Sequence, residues 1–229
     1  MLEQLRSDVC DANRELDRLG LIKLTWGNVS GIDREAGVMV IKPSGVPYAK
    51  LTPESMVVVD LRGGVAQGKL RPSSDAPTHA ALYRAFPQIR GITHAHSRHA
   101  TMFAQACHAI PCLGTTHADH FYGEVPLARM LTPEEVAADY TGNTGTVIIE
   151  RLAGRNPMET PGILVSGHGP FTWGKSPADA VHNCMILEEI ACMALGTLTL
   201  SPHTKPLPQY IADKHFLRKH GPGATYGQG

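Results

Sequence analysis

Ile89-Arg90-Gly91-Ile92-Thr93-His94-Ala95-His96 is the stretch around which the rest of the chain is organised. Its apolar start reads as a β-strand, and residues two apart on a strand face the same way. His94 and His96 therefore present two imidazoles to one side, close enough to share one ion. Neutral imidazole is a common ligand for zinc and similar cations. A strand carrying two hydrogen-bonded histidines is the plainer alternative, and with 12 His in 229 residues chance pairs occur. A catalytic zinc site takes three protein ligands and leaves one position open, so a third ligand has to be sought elsewhere.

Working outward, Leu2 to Leu19 keeps a helical period and Gly20 closes it. Leu21 to Trp26 reads as a strand running into a small-residue turn, Gly27-Asn28-Val29-Ser30-Gly31. Val38 to Ile41 and Met56 to Leu61 read as further strands, spaced as hairpins. Ser73-Ser74-Asp75 ahead of Pro77 is a helix-start signal. An Ala-rich helix is expected from about Arg98 to Ala106, and an ordered loop over Thr115 to Gly123. Thr132-Pro133-Glu134-Glu135 opens a short helix, and Val147-Ile148-Ile149 reads as a strand. Gly162 to Val165 is another strand, ending at Ser166-Gly167-His168-Gly169-Pro170. Ser176-Pro177 caps a long apolar helix to about Leu195, and a Pro-rich linker leads to a short basic helix over Tyr210 to Lys219. The whole chain, 1–229, reads as one α/β domain with a mixed, partly antiparallel sheet and helices on its faces.

Composition narrows the function classes. Lys+Arg and Asp+Glu are both 21, which gives no ground for nucleic-acid or membrane-surface binding. No signal segment is visible, and no apolar run reads as long enough to span a bilayer. Five cysteines, an odd number without a CxxC pair, suit a reducing cytoplasm.

His168, between two glycines at a strand end, is a plausible third ligand, or a turn histidine held by backbone contacts. Asp75 could be a fourth ligand or a nearby base. Gly27-Asn28, Lys42 with Ser44-Gly45, and Ser73-Ser74 are three donor sets suited to an anion; each alone also reads as turn or cap residues. With no Walker motif and no GxGxxG, the pocket suits a sugar phosphate better than a nucleotide. Asp119, Tyr122, His215 and Tyr226 are acid/base candidates, and a tail tyrosine could close over a site.

Thr25-Trp26-Gly27-Asn28-Val29-Ser30, Ile41 to Val46, Pro72-Ser73-Ser74-Asp75 and His94 to Ala100 together resemble the class II aldolase/epimerase superfamily. Within it, Gly114 to Asp119, His168-Gly169-Pro170-Phe171, Asp213-Lys214-His215 and Tyr226-Gly227-Gln228 look like the L-ribulose-5-phosphate 4-epimerases. Asp139 to Asn143 and Pro202 to Pro208 fit that pattern less well.

The resemblance implies a three-layer α/β/α domain with a largely antiparallel central sheet, whose last stretch, about 197–229, completes the active site. It implies one divalent ion per subunit on His94, His96 and His168 with Asp75, zinc first, manganese or cobalt otherwise. It implies a substrate pocket from Asn28, Lys42, Ser44, Gly45, Ser73, Ser74 and Thr115. It also implies a homotetramer with Asp119 and Tyr226 reaching the site from the neighbouring chain, supported by His215.

The implied reaction interconverts L-ribulose 5-phosphate and D-xylulose 5-phosphate. The hydrogen on C4 is not acidic, so inversion there needs retro-aldol cleavage of C3–C4 and re-addition to the aldehyde's other face. Arabinose breakdown and ascorbate-type pentose use would both need this reaction. An L-fuculose-1-phosphate type aldolase is the alternative, and Asp75 in place of a Glu base, with Asp119, favours the epimerase.

Overall fold

The computed structural model describes residues 2–225. Helix α1 (Leu2–Arg18) leads into β1 (Gly27–Asp33), β2 (Val38–Ile41), β3 (Val57–Asp60) and β4 (Val65–Gln67). Next come α2 (Ala76–Ala85), β5 (Gly91–Ala95), α3 (Arg98–Gln105), α4 (Thr115–Ala118), β6 (Leu127–Ala128) and α5 (Pro133–Arg151). The chain finishes with β7 (Gly162–Val165), β8 (Pro170–Gly174), α6 (Pro177–Leu200) and α7 (Gln209–His220).

The eight strands form one sheet in the order β4-β3-β2-β1-β5-β8-β7-β6. Every neighbouring pair is antiparallel except β6 with β7. One face buries Ile41, Val57, Ile92, Phe171 and Trp173 against Leu82 and Tyr83 of α2 and Val147 and Ile148 of α5. The other buries Val29, Val40 and Val58 against Val9 and Leu16 of α1 and Val181 and Cys184 of α6. The expected three-layer arrangement is therefore present, with β5 near the middle of the sheet.

Several local expectations are corrected. Leu21 to Trp26 is not a strand: Leu24 has a left-handed backbone, φ 52°, which interrupts any extended run. Gly27 to Gly31 is not a turn but lies inside β1. Its glycines answer to close packing, since a Cβ on Gly27 would stand 2.7 Å from Ile22 Cγ2 and 2.8 Å from the His94 carbonyl oxygen. The Val147-Ile148-Ile149 run is helical within α5, where burial against α2 outweighs β propensity. Thr115 to Ala118 forms a single helical turn rather than loop. Strand β8 is not evident in the sequence because Pro170 disguises its start and it follows a tight turn.

Helix α6 runs 24 residues, longer than expected, and by length and composition alone it could cross a membrane. That corrects the expectation that no run is long enough. Here Cys184, Leu187, Ile190 and Ala191 are buried within the protein, as suits a core helix. All five cysteines are free thiols.

Candidate active site

His94 sits in β5, His96 one residue beyond its end, and His168 in the turn between β7 and β8. Gly167 makes that turn with φ 69°, a conformation open to glycine at no steric cost. Antiparallel pairing of β5 with β8 brings His94 opposite Phe171, and thus beside His168. The ring centroids lie 5.0 Å apart for His94 and His96, 4.7 Å for His94 and His168, and 5.1 Å for His96 and His168. One donor atom from each falls within 4.8 Å of the others, so the trio could hold a metal ion.

Their electrostatics fit that use. Burial, and then the neighbouring His94, pushes His96 down to about 4 and His168 to about 3. Both imidazoles are neutral at pH 7 and need shed no proton to bind a cation. His94 Nδ1 lies 3.0 Å from the Pro170 carbonyl, which can only accept, so Nδ1 carries the proton and Nε2 the lone pair. Phe171 stacks on the His94 ring at 4.2 Å and fixes its plane. A set of three imidazole nitrogen donors fits a divalent cation of the zinc kind.

A cavity of about 630 Å³ opens in front of the trio. All the expected anion donors line it: Asn28, Lys42, Ser44, Gly45, Ser73 and Ser74. β1 places Asn28 directly opposite His94. Its Nδ2 donates to Ser73 Oγ at 3.0 Å and to Asp75 Oδ2 at 2.6 Å. Asn28 Oδ1 is buried without a hydrogen-bond partner among the described residues. Lys42 is almost fully buried, and its ammonium donates to the Pro43 carbonyl at 3.1 Å and lies 4.8 Å from the Tyr48 ring centroid. No ion pair to it is present among the described residues, and desolvation lowers it to about 8. A buried ammonium without a carboxylate is built to receive an anion.

Asp75, at the start of α2, lines the same cavity, but the compact donor group comprises the three histidines. Burial raises its carboxyl, yet His94, His79 and the Asn28 hydrogen bond more than offset this and leave it below the ordinary carboxylate range.

Three of the remaining expected residues lie elsewhere in the described chain. Thr115, Asp119 and His215 do not line the histidine cavity. Thr115 is exposed at the start of α4. Asp119 closes α4 and is gripped by α7: His215 Nδ1 at 3.0 Å, Arg218 Nη2 at 3.0 Å and Lys219 Nζ at 3.3 Å. Burial raises its carboxyl, but these donors prevail and hold it low. Tyr122, the other acid/base candidate, donates to Asp213 at 2.7 Å. Tyr226 lies outside the described residues.

The structure also brings in residues that sequence reasoning passed over. Tyr140 and Thr141 line the cavity, with Tyr140 Oη 3.5 Å from His168 Nδ1. They are carried inward by a kink in α5 at Asp139 (φ −163°, ψ 91°). The Asp139-Tyr140-Thr141-Gly142 run, poor in helix formers, was the available signal. Beneath the cavity, fully buried His79 Nδ1 lies 2.7 Å from Ser30 Oγ, which is 2.8 Å from Tyr83 Oη.

Residues 7–195 match the Class II Aldolase and Adducin N-terminal domain family. The chain belongs to this class II aldolase family. Curated relatives from Salmonella typhi and Salmonella paratyphi A, each named L-ribulose-5-phosphate 4-epimerase UlaF, are 54% identical over 99% of this chain and 100% of theirs. Among solved class II aldolase structures, an L-fuculose 1-phosphate aldolase superposes with TM-score 0.80 at 24% identity, over 92% of this chain and 95% of its own, a likeness of fold alone. The L-fuculose-1-phosphate aldolase of Thermus thermophilus is 26% identical, with TM-score 0.69 over 89% of this chain and 99% of its own.

Proposed function

We propose that this chain is an L-ribulose-5-phosphate 4-epimerase, interconverting L-ribulose 5-phosphate and D-xylulose 5-phosphate. The observation that carries the reading is the meeting, in one cavity, of three imidazoles with a buried ammonium that has no carboxylate partner among the described residues. The 54% identity to named epimerases over nearly the whole chain supports the choice of reaction.

In this reading Asn28, Lys42, Ser44, Gly45, Ser73 and Ser74 hold the substrate phosphate. His94, His96 and His168, with Asp75 beside them, hold a divalent cation, zinc by preference. When bound, that cation supplies Lewis acidity toward the negative charge left by C–C cleavage. A base takes the C4 hydroxyl proton as C3–C4 breaks, leaving the electron pair on the C1–C3 fragment as an enediolate. The phosphate grip retains the aldehyde while it turns, and re-addition to its other face inverts C4. Each face needs its own proton-transfer group, and Asp119 and Tyr226 take these roles. Three donors keep Asp119 ionised, and His215 orients it.

Asp119 and His215 do not line this protomer's histidine cavity, so the reading makes residues 1–229 one domain of a homotetramer. The α4 and α7 corner of one subunit then completes the cavity of the next, with Thr115 contributing to the substrate pocket. The free thiols favour a reducing, cytoplasmic setting.

The test is conversion of L-ribulose 5-phosphate, read by a coupled assay for D-xylulose 5-phosphate with a separate trap for free aldehyde. Xylulose 5-phosphate without aldehyde, lost on chelation and restored by zinc or manganese, is the expected result. Aldehyde release without xylulose 5-phosphate would make the enzyme an aldolase and overturn the paired roles of Asp119 and Tyr226.

The Lys42 ammonium gives a pH signature. Its charge is present below about 8 and lost as pH rises through that value. The rate constant kcat/KM is expected to fall above about pH 8, chiefly through KM. Lys42→Met should raise KM about tenfold to a hundredfold at pH 7, as for a lost charge-assisted hydrogen bond, and remove this alkaline limb. An unchanged pH–KM profile in that variant would take Lys42 out of the phosphate site.

A further inference from the structure

Strand β5 ends at Ala95, and the chain passes through His96 and Ser97 before α3 starts at Arg98. The first N–H groups of a helix have no partner within it. Ser97 stands at the N-cap position, yet its side chain makes no capping hydrogen bond. The cap comes instead from Glu188, midway along α6. Its Oε1 accepts from the His99 N–H at 2.9 Å, and its Oε2 accepts from the Ala100 N–H at 3.0 Å. Oε1 also lies 2.8 Å from His99 Nδ1. The carboxylate is only 13% exposed, and it forms an ion pair with His99 when that ring is protonated. Four donor contacts, counting the second from His99 N–H at 3.1 Å to Oε2, make that burial tolerable.

The placement matters for the histidine trio. His96 has left the strand ladder, so no sheet hydrogen bonds hold it from its C-terminal side. The next fixed point is the start of α3, at most about 10 Å of chain away. Glu188 ties that point to α6, a long helix packed against β5, β8, α3 and α1. His96 and Glu188 also share the wall of a second cavity, about 430 Å³. Glu188 itself does not line the histidine cavity.

We infer that Glu188 is a positioning residue for His96, holding its imidazole in register with His94 and His168 by clamping the start of α3. The inference rests on the proposed metal site. It also explains why a buried carboxylate, rather than the local serine, caps this short helix. A side-chain cap from Ser97 would tie the helix start to itself, whereas Glu188 ties it to the core.

The test compares wild type with Glu188→Ala and Glu188→Gln, using zinc alone as the probe in competition with a chelator. The cobalt(II) absorption spectrum and the thermal midpoint of the metal-free protein are measured alongside. Glu188→Ala is expected to bind zinc about tenfold to a hundredfold more weakly, as for other residues that orient a ligand, with an altered cobalt spectrum. Glu188→Gln, which keeps one acceptor oxygen, should lie between.

Wild-type affinity and spectrum in either folded variant, with only a lowered thermal midpoint, would make Glu188 a structural tie and overturn the inference. Should Glu188→Ala fail to fold, Glu188→Gln decides by the same criteria. Absence of zinc binding by wild type, or binding that survives His96→Ala, overturns the metal site first and this inference with it. Zinc bound by wild type through His96, with both Glu188 variants unaffected, overturns the Glu188 role alone.

Discussion

Replacing His168 by alanine is expected to lower kcat/KM at least about a thousandfold, a loss of about 4 kcal/mol of transition-state stabilisation, while the fold persists. The side chain stands on a turn rather than in the core, and it meets Tyr140, Phe171 and the other two histidines. Its removal therefore deletes one of three donors without opening a packed interior. Two imidazoles cannot hold the ion as three do, so metal content after dialysis should fall together with activity. Circular dichroism and the thermal midpoint of the metal-free protein should be close to wild type. A variant that keeps a full complement of metal and a tenth of the activity would remove His168 from the site.

Mixing two inactive chains is expected to restore activity. His168→Ala damages the histidine cavity, and Asp119→Asn damages the α4 and α7 corner. Asp119→Asn alone should cost about a hundredfold to ten-thousandfold, the usual range for a general acid or base. If each active site joins the cavity of one subunit to the corner of the next, co-refolding the two variants in equal amounts leaves some boundaries with both halves intact. Random assembly of a cyclic tetramer makes that share about a quarter, so about a quarter of wild-type activity should return. No recovery, in tetramers shown to be mixed, would place Asp119 and the histidines in the same protomer's chemistry or make Asp119 purely structural. Within one protomer Asp119 is already satisfied by His215, Arg218 and Lys219, so its loss should also loosen α7, whose apolar seat on α4 is small.

The residue types of the proposed site were largely legible before the fold was. His94 and His96 announced themselves by strand spacing, and His168 by its glycine flanks at a strand end. Asn28, Lys42, Ser44 and Ser73 were legible as three separate donor sets suited to an anion, and only the resemblance joined them in one pocket, because nothing local says that three loops far apart in sequence face one cavity. Misreadings arose where packing outweighed local preference. Gly27 to Gly31 has the composition of a turn, yet close contact with neighbouring chain makes it a central strand. Val147 to Ile149 has strand composition, yet the apolar face of α2 makes it helix. Tyr140 was invisible as a site residue because its approach depends on a kink at Asp139.

By itself, then, the sequence determined the donor types and the strand and helix ends that carry most of them, since these follow from side-chain chemistry and spacing along the chain. Only the tertiary structure decided which donors share a cavity. That depends on sheet order: β1 and β8 flank β5, although the chain runs from Asp33 to Gly91 between β1 and β5 and from Ala95 to Pro170 between β5 and β8. It also decided that Asp119 does not line the histidine cavity, because α7 holds that carboxylate with His215, Arg218 and Lys219. Long-range pairing of strands and ions is set by burial and Coulomb attraction across space, which spacing along the chain does not encode.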